Sequence, residues 1–202
     1  MNHLVQPTCR QSNTRVGTRR RQAAARNIRT CHLPEFKVEK VPSYPSSEVI
    51  EGVWYGVQKR SNAQQAMCRR LELILRAHLQ CSLEQIFVPS DNHPLCTLTS
   101  TLLPDFWVST LSPEPSKELR VAYPGLVIIV LSPQREKVER GAKLKALRSI
   151  RSVKEILVID TTRQCGEHYR RIDERDWAIE DFGKNDLVHL KSIHLCFSPF
   201  SD

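Results

Sequence analysis

An uninterrupted apolar run near the middle of the chain predicts the element around which the fold is built. It spans residues 123–133 (YPGLVIIVLSP), carries no charge, and is bounded by Pro-Gly and Ser-Pro. That length and those bounds favour a strand buried on both faces over a helix. A basic helical segment over 134–150 and a second apolar strand over 156–159, closing on Asp160, follow it. This order predicts a right-handed parallel crossover at the centre of an α/β sheet.

Weaker hydrophobic patterns predict elements on both sides of this unit. Alternation of apolar and polar residues indicates strands, and apolar residues at helical spacing indicate a helix. The predicted elements are an edge hairpin or strand start over 47–56, a helix over 63–80, strands over 86–88 and 102–108, a hairpin over 167–172 and 176–182, and a last short strand or approach to the sheet edge within 186–197.

The net charge of +8 comes almost entirely from the N-terminal part of the chain. Residues 1–34 contain seven arginines and no acidic residue, whereas the remainder carries 23 of the 30 basic residues against 22 acidic ones. We therefore predict a disordered Arg-rich tail over 1–34, a linker over 35–47 and one domain over 48–202. The alternatives for the tail are a start site assigned too far upstream, a basic arm that binds phosphates, and an organelle transit peptide.

Cysteine usage and hydropathy point to a cytoplasmic protein, with an organelle as the alternative if the tail is a transit peptide. The seven cysteines are odd in number and contain no CxxC pair, which is weak support for zinc or for a disulfide framework. No apolar run reaches the roughly 18 residues that a membrane-spanning helix needs. No secretory signal is evident, and we expect no membrane partner.

Three charged residues are candidates for chemistry at one end of the predicted sheet. Glu48 precedes a turn, Asp105 begins a strand, and Lys143 lies on the helix that leaves the central strand. Hydrolysis of a phosphodiester requires carboxylates to hold a hard divalent cation and a group that manages the attacking water. Two carboxylates and a lysine supply part of that set, although charged residues at strand ends are more often only solvated.

From about Glu48 to Pro199 the chain resembles the Uma-two family of restriction endonuclease-like proteins, a branch of the PD-(D/E)xK nuclease-like fold. Five segments carry the resemblance, in the family's order. They are EVIEG at 48–52, PDFWV at 104–108, LVIIVLSP at 126–133, ERGAKL at 139–144 and VKEILVID at 153–160. The resemblance implies a restriction-endonuclease-like α/β fold with a mixed central sheet, flanking helices and a C-terminal antiparallel hairpin.

The resemblance also implies a metal-dependent endodeoxyribonuclease site. Asp105 would be a metal ligand for Mg²⁺, Lys143 the catalytic lysine and Glu48 an accessory catalytic acid. Ile129 is the critical departure, because it stands where the family has its second metal-binding glutamate. An isoleucine cannot bind a cation, so the resemblance predicts impaired activity.

Three other acidic residues, Glu114, Glu118 and Glu136, are candidates to substitute for the missing carboxylate from a loop. Asp160 is expected to shape the end of its strand and the following turn rather than to bind metal.

The partner implied by the resemblance is DNA, and a homodimer is left open. The candidate nucleic-acid contacts lie on the basic helical segment: Arg135, Lys137, Arg140, Lys145 and Arg148. Three hypotheses follow from the sequence. The protein is an active metal-dependent deoxyribonuclease, an impaired relative that keeps DNA or partner binding, or an interaction protein without a nucleic-acid role.

Overall fold

The computed structural model describes residues 47–80, 84–87, 94–111 and 122–201. The predicted Arg-rich tail and nearly all of the predicted linker lie outside these residues, as do Glu114 and Glu118. Within them, no helix combines the length and the apolar composition needed to cross a lipid bilayer.

The described part of the chain contains twelve strands, one long helix and several short helical segments. The strands are β1 (Ser47–Ile50), β2 (Val53–Gly56), β3 (Glu84–Phe87), β4 (Leu95–Cys96), β5 (Thr101–Leu102), β6 (Phe106–Leu111), β7 (Ala122–Val130), β8 (Glu155–Asp160), β9 (Cys165–Arg171), β10 (Trp177–Phe182), β11 (Val188–Leu190) and β12 (Leu195–Phe197). The helices are α1 (Asn62–Leu79), α2 (Glu136–Val138) and α3 (Leu144–Ser149), with a π-helical turn (Glu139–Lys143) between α2 and α3 and a 3₁₀ turn (Lys191–Ile193) before β12.

A six-stranded mixed sheet forms the centre of the fold, in the order β10-β9-β8-β7-β6-β3. Strands β7 and β8 are parallel, and the other pairs of this sheet are antiparallel. The predicted crossover unit and the predicted hairpin of β9 and β10 are therefore confirmed. A second, antiparallel sheet has the order β2-β1-β5-β4 and contains the predicted N-terminal hairpin.

Both faces of β7 are buried, which explains its uninterrupted apolar sequence. Leu126, Ile128 and Val130 pack in the core layer that also contains buried residues of α1 and of β11 and β12. Val127 and Ile129, on the opposite face, pack in the layer that contains Ile50 of β1 and Leu147 of α3. The central strand thus separates two apolar layers, as a strand covered on both sides should.

Helix α1 begins with a capping box and turns one apolar stripe toward the sheet. The Ser61 side chain accepts a hydrogen bond from the backbone N–H of Gln64, and the Gln64 side chain accepts one from the backbone N–H of Ser61. These reciprocal bonds satisfy two backbone donors at the helix start. His78, in the last turn of α1, is exposed, and its Nε2 atom lies 2.6 Å from the carbonyl oxygen of Ile193.

The two C-terminal strands form a separate two-stranded sheet rather than extending the edge of the central sheet. Glu155, buried at the start of β8, holds this segment in place by accepting hydrogen bonds from the backbone N–H groups of Lys191 (3.0 Å) and Ser192 (2.6 Å). His168 lies 3.1 Å from the same carboxylate. Burial alone would raise the pKa of Glu155, but the hydrogen bonds from His168 and Ser192 lower it to about 2.

Candidate functional site

Asp105 lies at the end of the central sheet where β6 begins and β7 ends. Its backbone N–H donates to the carbonyl oxygen of Ile128 at 3.0 Å. Strand β6, which follows Asp105, pairs antiparallel with β7, which carries Ile129. Because β8 runs parallel to β7, its last residue, Asp160, lies at the same edge of the sheet.

Protein donors surround the carboxylate of Asp105. Oδ1 accepts a hydrogen bond from Nη2 of Arg60 at 2.6 Å, and Oδ2 accepts one from the backbone N–H of Val130 at 2.7 Å. The Sγ atom of Cys68 lies 3.7 Å from Oδ1. Burial raises the pKa of the Cys68 thiol to about 12, and the charge of Asp105 adds to the effect. The thiol therefore stays protonated near neutral pH and acts as a weak donor, not as a nucleophile.

Glu48 and Lys143 meet in a buried ionic cluster together with Arg135. One oxygen of the fully buried Glu48 binds Nη2 of Arg135, and the other lies 3.1 Å from Nζ of Lys143. The backbone of Leu103 contacts both Glu48 and Lys143. Its N–H donates a hydrogen bond to Glu48 at 3.0 Å, and its carbonyl oxygen accepts one from Lys143 at 2.7 Å. Burial on its own would raise the pKa of Glu48, but Lys143, the Leu103 amide and Arg135 together bring it below its usual value.

The π-helical turn brings a further carboxylate, Glu139, to this end of the sheet. Glu139 and Lys143 are both buried, and Oε2 of Glu139 accepts a hydrogen bond from the N–H of Ser132 at 2.8 Å. Burial raises the pKa of Glu139, and the negative charge of Asp105 acts in the same direction, against the lowering effect of Lys143. Single π-turns within helices often occur at functional sites.

Ile129 is fully buried in the layer around Val127 and Leu131, and its side chain has no atom that can bind a metal ion. Mg²⁺ requires near-octahedral oxygen ligation at about 2.1 Å. Among the residues with described positions, no group of three or more His, Cys, Asp or Glu side chains is arranged to hold a metal ion. Since Asp105 is bound to Arg60 and Ile129 offers no ligand atom, the residues with described positions do not fit a divalent cation.

Glu136, one of the candidate substitutes, is engaged in a surface ion-pair network. It accepts hydrogen bonds from Arg140 at 3.0 Å and from Arg163 at 2.7 Å, and Arg163, followed by Arg140, lowers its pKa. Arg163 also binds Asp160 at 3.0 Å. Asp160 accepts hydrogen bonds from the N–H groups of Thr162 and Arg163, so its predicted role in shaping the strand end and the turn is confirmed.

Most of the basic residues predicted to contact nucleic acid already bind carboxylates of this chain. Arg135 differs most from the expectation, because it is buried and its guanidinium binds Glu48 rather than facing solvent. Arg140 binds Glu136 and Glu167. Lys145 is exposed but lies 2.9 Å from a carboxylate oxygen of Glu51.

Arg148 and Lys137, the other two basic residues predicted to contact nucleic acid, have different surroundings. The guanidinium of Arg148 lies 5.7 Å from the ring centre of Trp177, which also has Arg171 stacked at 4.4 Å. Lys137 is exposed, and within the described ranges it forms no ion pair. The helical segment is therefore rich in basic residues by sequence but largely charge-matched in the fold.

Two residues of the site escaped the sequence-based assignment. Arg60 stands in a polar stretch before α1, and no spacing in the sequence links it to Asp105. Glu139 begins the segment that resembles a family motif, but an acidic residue on a basic helix gave no sign that it would be buried.

The comparisons with known proteins agree with this fold. Residues 33–197 match the model of the Uma2 family, described as "Putative restriction endonuclease". The fold is similar to a crystal structure from Anabaena variabilis described as "a putative nuclease belonging to DUF820", with a TM-score of 0.61 and 20% identity over 79% of this chain and 91% of that one. An uncharacterized protein of Synechocystis sp. is 32% identical over 90 residues, which are 44% of this chain. The aligned part spans about half (47%) of that relative's length.

Structure and comparisons together assign the fold and the family. The mixed sheet with few helices is the restriction-endonuclease-like fold, and proteins of this kind generally use divalent metal ions. The family match covers well over half of the sequence, from before β1 through β12. The chain therefore belongs to the Uma2 family of restriction endonuclease-like proteins.

Proposed function

We propose that this protein is directed at DNA, as a member of a nuclease family, and that its metal-dependent phosphodiester hydrolysis is impaired. The proposal rests on the identity and the burial of Ile129. It is fully buried at the position where the family resemblance calls for a second carboxylate. Losing one of the two carboxylates that the resemblance implies weakens Mg²⁺ binding, because the ion demands a near-ideal octahedral set of oxygen ligands.

The other predicted catalytic groups support the same proposal, because their hydrogen-bonding capacity is directed into the protein. Nζ of Lys143 is buried and binds Glu48 and the carbonyl of Leu103. A lysine in that environment holds the fold together, and it must leave two partners before it can reach a phosphate oxygen. Glu48 likewise uses both carboxylate oxygens on Arg135 and Lys143.

A second candidate function is interaction with another protein, without a nucleic-acid role. It is favoured by the charge matching of the helical segment, where Arg140 and Lys145 pair with carboxylates of the same chain. A surface that neutralises its own charges attracts phosphates weakly, since non-specific affinity for DNA comes mainly from unpaired basic residues.

A plasmid-cleavage assay in Mg²⁺ and in Mn²⁺ tests the proposed impairment. We expect the wild-type protein, even at stoichiometric amounts, to nick supercoiled DNA no faster than the Asp105→Asn variant. Asparagine is the matched control because its amide oxygen can still accept the hydrogen bond from Val130. Metal-dependent cutting by the wild type that is lost in Asp105→Asn would contradict the proposal.

A further inference from the structure

Arg60 is held close to Asp105 by the start of helix α1. It directly precedes the N-cap residue Ser61, and its carbonyl oxygen accepts a hydrogen bond from the Gln65 side chain at 3.0 Å. Its guanidinium then reaches across 45 residues of sequence to Oδ1 of Asp105 at 2.6 Å. The Arg60 side chain is 33% exposed and the Asp105 side chain 10% exposed, so the contact lies at the rim of the site rather than deep in the core.

The donors around Asp105 come from three separate parts of the fold and leave neither oxygen unbonded. Arg60 approaches from the turn before α1, Cys68 from within α1, and the N–H of Val130 from the end of β7. A divalent cation requires direct contact with carboxylate oxygens at about 2.1 Å. At Oδ1 such a cation would have to displace the guanidinium or share the oxygen with a group of like charge, and at Oδ2 it would bind beside the Val130 N–H with the guanidinium close by.

The formal charges of the six side chains around Asp105 and Glu48 cancel without a metal ion. Three acidic side chains (Glu48, Asp105 and Glu139) lie among three basic ones (Arg60, Arg135 and Lys143) at this end of the sheet. An arginine stays protonated at any pH at which the protein is folded, so a change of pH does not remove its charge.

We propose that Arg60 is the built-in counter-ion of Asp105 and that it closes the metal site of this protein by occupying the side from which a divalent cation would bind. The inference rests on the proposed function and deepens it, because it adds a second, independent obstacle to the one at Ile129. Ile129 removes a ligand, whereas Arg60 supplies a competing positive charge. Restoring the carboxylate at position 129 alone therefore leaves the site blocked.

Mn²⁺ binding, followed by the electron paramagnetic resonance signal of free Mn²⁺, tests this role on the full chain. The variants are Arg60→Ala, Ile129→Glu, the double variant, and Lys59→Ala as the matched control, because Lys59 is an exposed cation next to Arg60 in sequence. We expect the wild type and Lys59→Ala to show no saturable binding. Arg60→Ala should gain saturable Mn²⁺ binding, and adding Asp105→Asn to Arg60→Ala should abolish it. The double variant Arg60→Ala/Ile129→Glu should bind Mn²⁺ at least tenfold tighter than Ile129→Glu alone.

Two results would overturn the role of Arg60. One is Ile129→Glu binding Mn²⁺ as tightly as the double variant, and the other is Arg60→Ala binding no better than Lys59→Ala. The second comparison does not depend on whether a glutamate at position 129 permits folding. The proposed impairment is judged separately, by DNA cleavage. If the wild type binds Mn²⁺ at Asp105 but does not cut DNA, the role of Arg60 as counter-ion is refuted and the proposed impairment still holds.

Discussion

Replacing Glu48 by alanine is expected to lower the free energy of unfolding by about 3–5 kcal/mol, because it leaves two buried cations without their shared counter-ion. Lys143 and Arg135 are both buried, and each loses its carboxylate partner. The N–H of Leu103 loses its acceptor in addition. For a domain of this size the loss corresponds to a fall in melting temperature on the order of 10 °C, which differential scanning calorimetry measures directly.

Glu51 provides a matched control within the same hairpin. Like Glu48, it pairs with a lysine of the helical segment, but both side chains of the Glu51–Lys145 pair are largely exposed. An exposed pair contributes no more than about 1 kcal/mol, so Glu51→Ala should change stability little. Equal losses in the two variants would show that the Glu48 cluster does not stabilise the fold through burial of its charges.

The lowered pKa of Glu48 gives the pH dependence of this contribution a definite sign. A carboxyl group whose pKa is lower in the folded state stabilises the fold above its ordinary pKa of 4.5. That stabilisation is lost as the pH falls from 4.5 through the lowered value. The difference in stability between wild type and Glu48→Ala should therefore shrink in acid, whereas the difference for Glu51→Ala should stay small throughout.

The second large effect is expected in DNA affinity, which we predict to depend on the N-terminal arginines rather than on the helical segment. Changing all seven to glutamine should remove most of the salt-dependent affinity of the chain. Each phosphate contact contributes about 0.9 to the slope of log K against log salt, so about six or more contacts imply a loss of roughly 10³-fold between 50 and 200 mM salt. The substituted residues are Arg10, Arg15, Arg19, Arg20, Arg21, Arg26 and Arg29.

Fluorescence anisotropy with a labelled duplex at several salt concentrations measures this slope. Lys137→Ala is the comparison within the fold, and as a single contact it should reduce the slope by no more than about one. A seven-glutamine variant that keeps the steep slope would assign DNA binding to the folded part. A full-length chain with no measurable DNA binding would remove DNA as the partner.

The central architecture was predictable because burial on both faces leaves a plain signature in sequence. An uncharged apolar run such as 126–131, bounded by Pro-Gly and Ser-Pro, is typical of a strand covered on both faces. The alternation in the two strands that became β9 and β10 predicts their antiparallel pairing. The short strands β4 and β5 were harder to predict. The pairing of a two-residue strand depends on the segments around it rather than on its own sequence pattern.

The chemistry of the site was only partly predictable. Glu48, Asp105 and Lys143 could be singled out from the residues and the resemblance, and the structure brings them to one end of the sheet around Leu103. The burial of Arg135 could not be predicted, since an arginine on a basic helix ordinarily faces solvent. The sequence predicted a helical segment over 134–150, but the π-turn at Glu139–Lys143 within it has no mark in hydrophobic periodicity.

The most direct test of the central claim, that Asp105 of the wild-type protein does not hold a divalent cation, is an amide NMR spectrum recorded during a Mn²⁺ titration. The N–H of Val130 is hydrogen-bonded to Asp105 at 2.7 Å, so Mn²⁺ bound at this carboxylate would broaden its signal before most others. We predict that the Val130 signal stays as sharp as that of Ile156, an interior amide of β8, until Mn²⁺ broadens the spectrum uniformly. Selective loss of the Val130 signal at substoichiometric Mn²⁺, absent in the Asp105→Asn variant, would contradict the account.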